Sequence, residues 1–188
     1  MNGNIIIVGV GGQGILLTSK ILGWLALKMG KDIKVSEVHG MSQRGGSVIT
    51  HVRIGDCVAS PLVDAEQADY VLSFEMLEAL RAEGFLKENG VLITNTQRML
   101  PMPVISGKAV YPENIPRCAR TVALDALALA KEAGSARSVN IVLLGVLSSF
   151  SEWPEENWEE AIAACVPPQT LEINLKAFRA GRAAGVKN

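Results

Sequence analysis

Gly9-Val10-Gly11-Gly12-Gln13-Gly14 sets Gly9, Gly11 and Gly14 at the G-x-G-x-x-G spacing, directly after an aliphatic run and before a helical pattern. Each glycine has a reason to be there in a phosphate-binding loop. One permits the tight turn, one lets the backbone approach a pyrophosphate, and one lets helix pack close to strand. The positive end of the helix and its free N–H groups then face the anion. A second loop follows, His39-Gly40-Met41-Ser42-Gln43-Arg44-Gly45-Gly46. Its arginine can grip a phosphate or carboxylate with a planar fork of donors, and its paired glycines allow close approach. The residues placed in ligand contact are therefore Gly9, Gly11, Gly12, Gln13 and Gly14 from the first loop, and Ser42, Gln43, Arg44 and Gly45 from the second. On residues alone, the first loop does not choose between NAD, FAD and coenzyme A. A tight strand-to-helix turn without a ligand is the plainer alternative. Glu37 falls near the ~20-residue offset at which a nicotinamide-binding domain holds a ribose hydroxyl.

Other polar residues offer little chemistry. His39 lies in the second loop and has only a weak claim to a ligand, and His51 sits mid-strand and is assigned no reaction. Asn140 and Asn174 interrupt apolar helical stretches, where buried amides must be hydrogen-bonded, so both read as internal structure. No spacing argues for a Ser-His-Asp or Cys-His arrangement, and no paired carboxylates stand out. Cys57, Cys118 and Cys165 are far apart, without the Cys-x-x-Cys spacing of an iron–sulfur or zinc site. The residues describe a chain that binds and positions while the chemistry lies elsewhere, with no catalytic residue and no metal of its own.

The elements that must position these loops are an α/β set: a mostly parallel, Rossmann-like sheet with flanking helices and a helical C-terminal part. Asn4 to Val10 reads as a strand buried on both faces. Ile15 to Met29 reads as a helix stopped at Gly30, and Ile33 to Val38 as a second strand, together one βαβ unit. Ser47 to Ile54 alternates as a strand, and Cys57-Val58-Ala59 pairs back as a hairpin after Gly55-Asp56. Tyr70 to Phe74 and Val91 to Thr94 are further strands around a helix from Glu75 to Glu83. Residues 95–117 carry Pro101, Pro103, Pro112 and Pro116 and are irregular, with a short strand near Ala109-Val110-Tyr111. Helices follow at Val122 to Glu132, Val139 to Phe150, from Pro154, and from Pro167-Pro168. The whole chain, 1–188, reads as a single domain, with 1–117 as sheet portion and 118–188 as helical portion packed on it.

Composition narrows the partners. In 188 residues the net charge is −1, and hydrophobic residues make up 48%. Mean hydropathy is +0.24. There is no basic surplus for nucleic acid or a membrane surface. The apolar run Ile5 to Val10 is too short and lacks the basic flank of a signal peptide. Residues 139–150 fall short of the roughly 20 apolar residues that span a bilayer. Scattered cysteines in odd number fit a reducing cytoplasm.

Taken together, the two loops resemble the gamma-type subunit of the 2-oxoacid:ferredoxin oxidoreductases. The likeness rests on Ile6-Ile-Val-Gly-Val-Gly-Gly-Gln-Gly14, on Glu37 through Gly46, on Asn140-Ile-Val-Leu-Leu-Gly145 and on Leu171-Glu-Ile-Asn174-Leu-Lys-Ala-Phe178-Arg-Ala-Gly181. Within the family, the Met41-Ser42-Gln43-Arg44-Gly45-Gly46 wording is similar to the small subunit of the indolepyruvate type. The resemblance implies oxidative decarboxylation of a 2-oxoacid to acyl-CoA with reduction of ferredoxin. It implies that this chain binds coenzyme A, while a large alpha subunit holds thiamine diphosphate and the iron–sulfur clusters. Alone, such a chain is expected to be inactive and to self-associate through its apolar surface. A stand-alone NAD(P)-dependent oxidoreductase is the alternative, and an assembly protein with a vestigial loop is a third.

Overall fold

The computed structural model describes residues 2–40, 46–113 and 120–186. Among these, strands β1 (Gly3–Val10), β2 (Asp32–His39), β3 (Ser47–Gly55), β4 (Ala68–Ser73), β5 (Leu86–Asn95) and β6 (Thr121–Leu124) form one sheet in the order β2-β3-β1-β4-β5-β6. Strands β1, β4, β5 and β6 run parallel; β3 is antiparallel to both β1 and β2.

β1 is central, which is why its aliphatic run is continuous. Ile5 and Ile7 face one layer of the core, and Ile6 and Val8 face the other. The first layer is thick. It packs α1 (Ile15–Lys28), α4 (Ala126–Ala133), α5 (Val139–Ser148), α6 (Glu155–Cys165) and α7 (Leu171–Val186) over one face. The second layer contains α2 (Met76–Ala82), which buries Ala79 and Ala82 beneath Ile6, Val71 and Leu92. α5 and α7 meet backbone to backbone. A Cβ at Gly145 would run into the Phe178 carbonyl, and one at Gly181 into that of Val142. That contact fixes the middle of α5, the helix that carries Asn140 in its first turn.

Several expectations are corrected. The β1–α1–β2 unit is present, but β3 is inserted between the two parallel strands. Strand order is a tertiary choice: β3 has Val48, Thr50, Val52 and Ile54 buried along one face and His51 on the other, so it sits inside the sheet. Cys57-Val58-Ala59 forms no hairpin; the Val58 N–H instead donates to Asp32 Oδ2 at 2.9 Å. Ala109-Val110-Tyr111 is not a strand either. Val122 to Leu124, read as the start of a helix, is strand β6, paired in parallel with β5 through Leu92↔Thr121 and Asn95↔Leu124. Asp125 marks the true change of structure, its Oδ1 accepting the Ala128 N–H at 2.9 Å as the N-cap of α4. The sheet thus reaches past residue 117 into the part read as helical.

Candidate functional site

The first loop crosses from β1 to α1 through two glycines in the left-handed region, Gly12 at φ +102° and Gly14 at φ +88°. At Gly12 a Cβ would meet nothing within 4 Å, so the missing side chain leaves open space above the turn. At Gly14 it would lie 2.7 Å from Asn140 Nδ2, so the packing of the loop against α5 also demands glycine. Gly9 lies within β1 against Phe74. The Gly11 N–H donates to the Gly46 carbonyl at 2.9 Å, binding the first loop to the residue before β3. The helix begins with no side-chain cap and no acid in its first turn. Its first N–H groups and its positive dipole end are therefore available to an anion.

Gln13 is held by structure. Its Oε1 accepts the Val10 N–H at 2.7 Å, and its Nε2 donates to the Phe74 carbonyl at 3.2 Å and to Met99 Sδ at 3.3 Å. Asn140 donates to the Gly14 carbonyl at 3.3 Å from the first turn of α5. Asn174 accepts the Ser138 hydroxyl at 3.1 Å and donates to Thr170 at 2.9 Å. Both asparagines are thus satisfied inside the fold, as the sequence suggested. Ser42, Gln43, Arg44 and Gly45 lie outside the described residues, as does Cys118; of the residues that flank the second loop, His39 pairs with Val48 across the β2–β3 ladder and Ser47 pairs with Val10 of β1.

The loop is a ridge between two cavities, and Gly12, Gly14 and Leu17 line both. The smaller, of about 500 Å3, is bounded by Glu37, His39 and Val48. Glu37 accepts the Thr50 hydroxyl there at 3.3 Å. The larger, of about 650 Å3, lies toward the helices. It is lined by Gln13, Gln97, Met99, Ser135, Arg137, Asn140 and Asn174, and by no carboxylate among the described residues. Arg137 is exposed, and its guanidinium makes no ion pair among the described residues. Its own N–H is held by Ser135 Oγ at 3.2 Å, at the start of a 3-10 turn, Ala136–Ser138, that runs into α5. Sequence reasoning missed Arg137. The signal was a basic residue between the Gly134-Ser135 break and the Asn140 helix.

It also missed two buried carboxylates beyond β4. Glu75 is fully buried and caps α2, accepting the Leu77 and Glu78 N–H groups at 2.7 and 3.1 Å. Glu78 is paired with Arg81 at 2.6 Å and accepts the Ser47 hydroxyl. Burial, and then the Glu75 carboxylate, push the Tyr111 hydroxyl well above the usual phenol range, so it stays a donor. His51 is buried and pushed below the ordinary imidazole range by desolvation; its Nδ1 accepts the Val63 N–H at 3.2 Å, a structural role. No group of His, Cys, Asp and Glu among the described residues is arranged to hold a metal ion. No helix there is long and apolar enough to cross a membrane.

Residues 4–184 match the model of the pyruvate ferredoxin/flavodoxin oxidoreductase family. The indolepyruvate oxidoreductase subunit IorB of Pyrococcus horikoshii is 46% identical over an alignment that covers 95% of this chain and 93% of that one. The gamma subunit of a keto/oxoacid ferredoxin oxidoreductase from Geobacter sulfurreducens shares the fold at a TM-score of 0.78 and 26% identity, over 99% of each chain. A 2-oxoglutarate:ferredoxin oxidoreductase from Magnetococcus marinus, solved with 2-oxoglutarate, coenzyme A and succinyl-CoA bound, has a TM-score of 0.78 at 21% identity. It matches over 100% of this chain and 31% of its own, a likeness of fold alone. These matches agree with the resemblance that the paired loops carry.

Proposed function

The chain belongs to the pyruvate ferredoxin/flavodoxin oxidoreductase family, and from that premise we propose that it is the small subunit of a ferredoxin-dependent 2-oxoacid oxidoreductase of the indolepyruvate type. In this reading it binds coenzyme A at the glycine loop, in the cytoplasm, while a large alpha subunit holds thiamine diphosphate and iron–sulfur clusters and passes electrons to ferredoxin. The whole chain acts as one gamma-type domain.

One observation carries the ligand. An uncapped helix start opens, through two left-handed glycines, onto a cavity whose arginine has no ion pair and whose lining has no carboxylate among the described residues. That is an environment for phosphate. In the proposed assembly thiamine diphosphate supplies the carbanion chemistry from the partner. The residues of this chain hold and orient coenzyme A so that its thiol reaches the reacting centre. Gly12 gives the phosphates access to the backbone, Arg137 and Arg44 supply charge, and Asn140 and Asn174 brace the helix ends that form the wall. The stand-alone nicotinamide reading would need an acid or base beside the ligand. Glu37 and His39 line the smaller cavity, but the matched relatives are oxidoreductase subunits.

The test is co-expression with the thiamine-dependent subunit, followed by size exclusion and steady-state kinetics with each substrate varied. The two chains should co-elute and turn over only with coenzyme A present. Gly12→Val and Arg44→Ala should each raise the Michaelis constant for coenzyme A about tenfold or more, with that for the 2-oxoacid little changed. Folded variants with wild-type coenzyme A dependence would remove the site from this loop.

A further inference from the structure

Residues 96–113 leave β5 and, apart from the short helix α3 (Met102–Ile105), have neither helix nor sheet pairing. Leu100, Met102, Ile105 and Val110 point their apolar surface to solvent, so packing does little to fix the segment. Backbone bonds hold its start, the Thr96 N–H donating to the Leu124 carbonyl at 2.9 Å and the Gln97 carbonyl accepting the Met76 N–H at 3.2 Å, and further along it is pinned at two points to one side-chain oxygen. Glu75 Oε1 accepts the Met99 N–H at 2.9 Å and also the Tyr111 hydroxyl. The other oxygen, Oε2, caps α2 through Leu77 and Glu78, and the Leu77 N–H donates in addition to the Tyr111 oxygen at 3.0 Å. The Arg98 guanidinium lies over the Tyr111 ring, 5.4 Å from its centre.

A fully buried carboxylate is costly unless donors saturate it. A serine or aspartate at the same position would cap a helix. A glutamate reaches further, and here, among the described residues, its second oxygen serves only the 96–113 strap. The pinned strap in turn forms part of the larger cavity. Met99 Sδ takes the Gln13 Nε2 donor, and Gln97 Oε1 takes Asn95 Nδ2 at 3.3 Å; Gln13, Gln97 and Met99 all line that cavity. A continuous chain of contacts therefore runs from Tyr111 through Glu75, Met99 and Gln13 to the Val10 N–H at the base of the glycine loop. Neither Glu75 nor Tyr111 lines the cavity itself.

We propose that Glu75 and Tyr111 form a clasp that sets the strap wall of the larger cavity, making them positioning residues for the coenzyme A bound there. The proposal rests on the functional reading above and adds to it two residues and the strap wall they hold.

The experiment uses the co-expressed two-subunit enzyme with Tyr111→Phe, which removes one hydroxyl and keeps the ring, and Glu75→Gln, which turns one acceptor oxygen into a donor. Three readouts are taken: kinetics in coenzyme A and in 2-oxoacid, a thermal melt, and limited trypsin digestion at Lys108 in the strap. Tyr111→Phe should raise the Michaelis constant for coenzyme A about five- to tenfold, the scale of one ordinary hydrogen bond felt through the wall rather than of a direct charged contact to the ligand, with kcat and the 2-oxoacid constant little changed. Cleavage at Lys108 should quicken, and saturating coenzyme A should slow it again. Glu75→Gln should do the same more strongly, and if it does not fold, Tyr111→Phe alone decides. A strap that is cut faster while coenzyme A kinetics stay wild-type overturns the proposal. So does a lowered melting temperature with all kinetic constants shifted alike, because that is a purely structural role. Wild-type enzyme that turns over without coenzyme A defeats the functional reading, and the clasp's role with it, before any variant is compared.

Discussion

The two cavities beside the glycine loop share a ridge and differ in charge. Both touch Gly12, Gly14 and Leu17, so both see the open start of α1. On the β2 side the wall carries Glu37 and His39. On the helical side it carries Arg137, with amides and hydroxyls and, among the described residues, no acid. The helix dipole, worth about 0.3–1 kcal/mol at an exposed end, is common to both cavities and cannot choose between them. The side chains choose. A phosphate placed toward Glu37 meets a like charge. One placed toward Arg137 meets an unpaired cation, and a charge-assisted contact there is worth about 1.5–3 kcal/mol. The lesson is that a glycine loop marks where an anion can approach, while the elements brought in from distant sequence decide the side.

The variant with the largest expected effect attacks the shared ridge. Gly14→Ala forces a side chain into the left-handed region and against Asn140, whose amide would lie 2.7 Å from the new Cβ. The expected cost is about 2–4 kcal/mol, seen as a melting temperature lower by about 5–10 °C. The contact between loop and α5 would also loosen, so both cavities should change together. A Gly14→Ala protein that melted like wild type would show that the ridge is not built as described.

The next comparison separates the cavities. Arg137→Ala should raise the Michaelis constant for coenzyme A about ten- to hundredfold and should lose part of that effect at high salt, since the side chain is exposed. Glu37→Gln, across the ridge, should change it by less than about twofold. Kinetics at two ionic strengths on the assembled enzyme make the test. Reversed sensitivities, with Glu37→Gln the damaging change, would move the ligand into the smaller cavity and revive a ribose-binding role for that carboxylate.

How much of this was legible follows the distance over which each feature is built. The glycine loop is local: a run buried on both faces, a turn with two left-handed glycines, then a helix that ends at Lys28, with Gly30 at φ +69° just beyond its Met29 cap. Such features can be read from neighbouring residues. The Asn140 contact to Gly14 closes over 126 residues and the Glu75 contact to Tyr111 over 36, so their partners could not be paired from spacing. Asn140 and Asn174 were still read correctly, because a buried amide must find partners whichever they are. β6 was lost because four residues, Thr121 to Leu124, adjoin an alanine-rich helix and offer too short an alternation to register. The place of β3 between β1 and β2 was illegible for a different reason. Its pattern fits an antiparallel strand at several positions, and the neighbour is selected by the whole sheet. Arg137 has no local signature of a ligand contact, and only the fold sets it on a cavity wall.

The smallest expected effect refines the same comparison at its supporting residue. Ser135 Oγ accepts the Arg137 N–H at the start of the 3-10 turn, so it orients the backbone from which the guanidinium projects. Ser135→Ala removes a cap worth about 0.5–1 kcal/mol. It leaves the Arg137 charge in place, so binding should weaken only about two- to threefold, with a melting temperature lower by about 1–4 °C. The pair Ser135→Ala and Arg137→Ala also makes a double-mutant cycle. If the serine acts by orienting the arginine, its effect on coenzyme A should vanish in the Arg137→Ala background while its effect on stability remains. A serine effect on binding that persists without the arginine would mean that the hydroxyl meets the ligand directly, and the larger cavity would then owe its selectivity to the turn as well as to the cation.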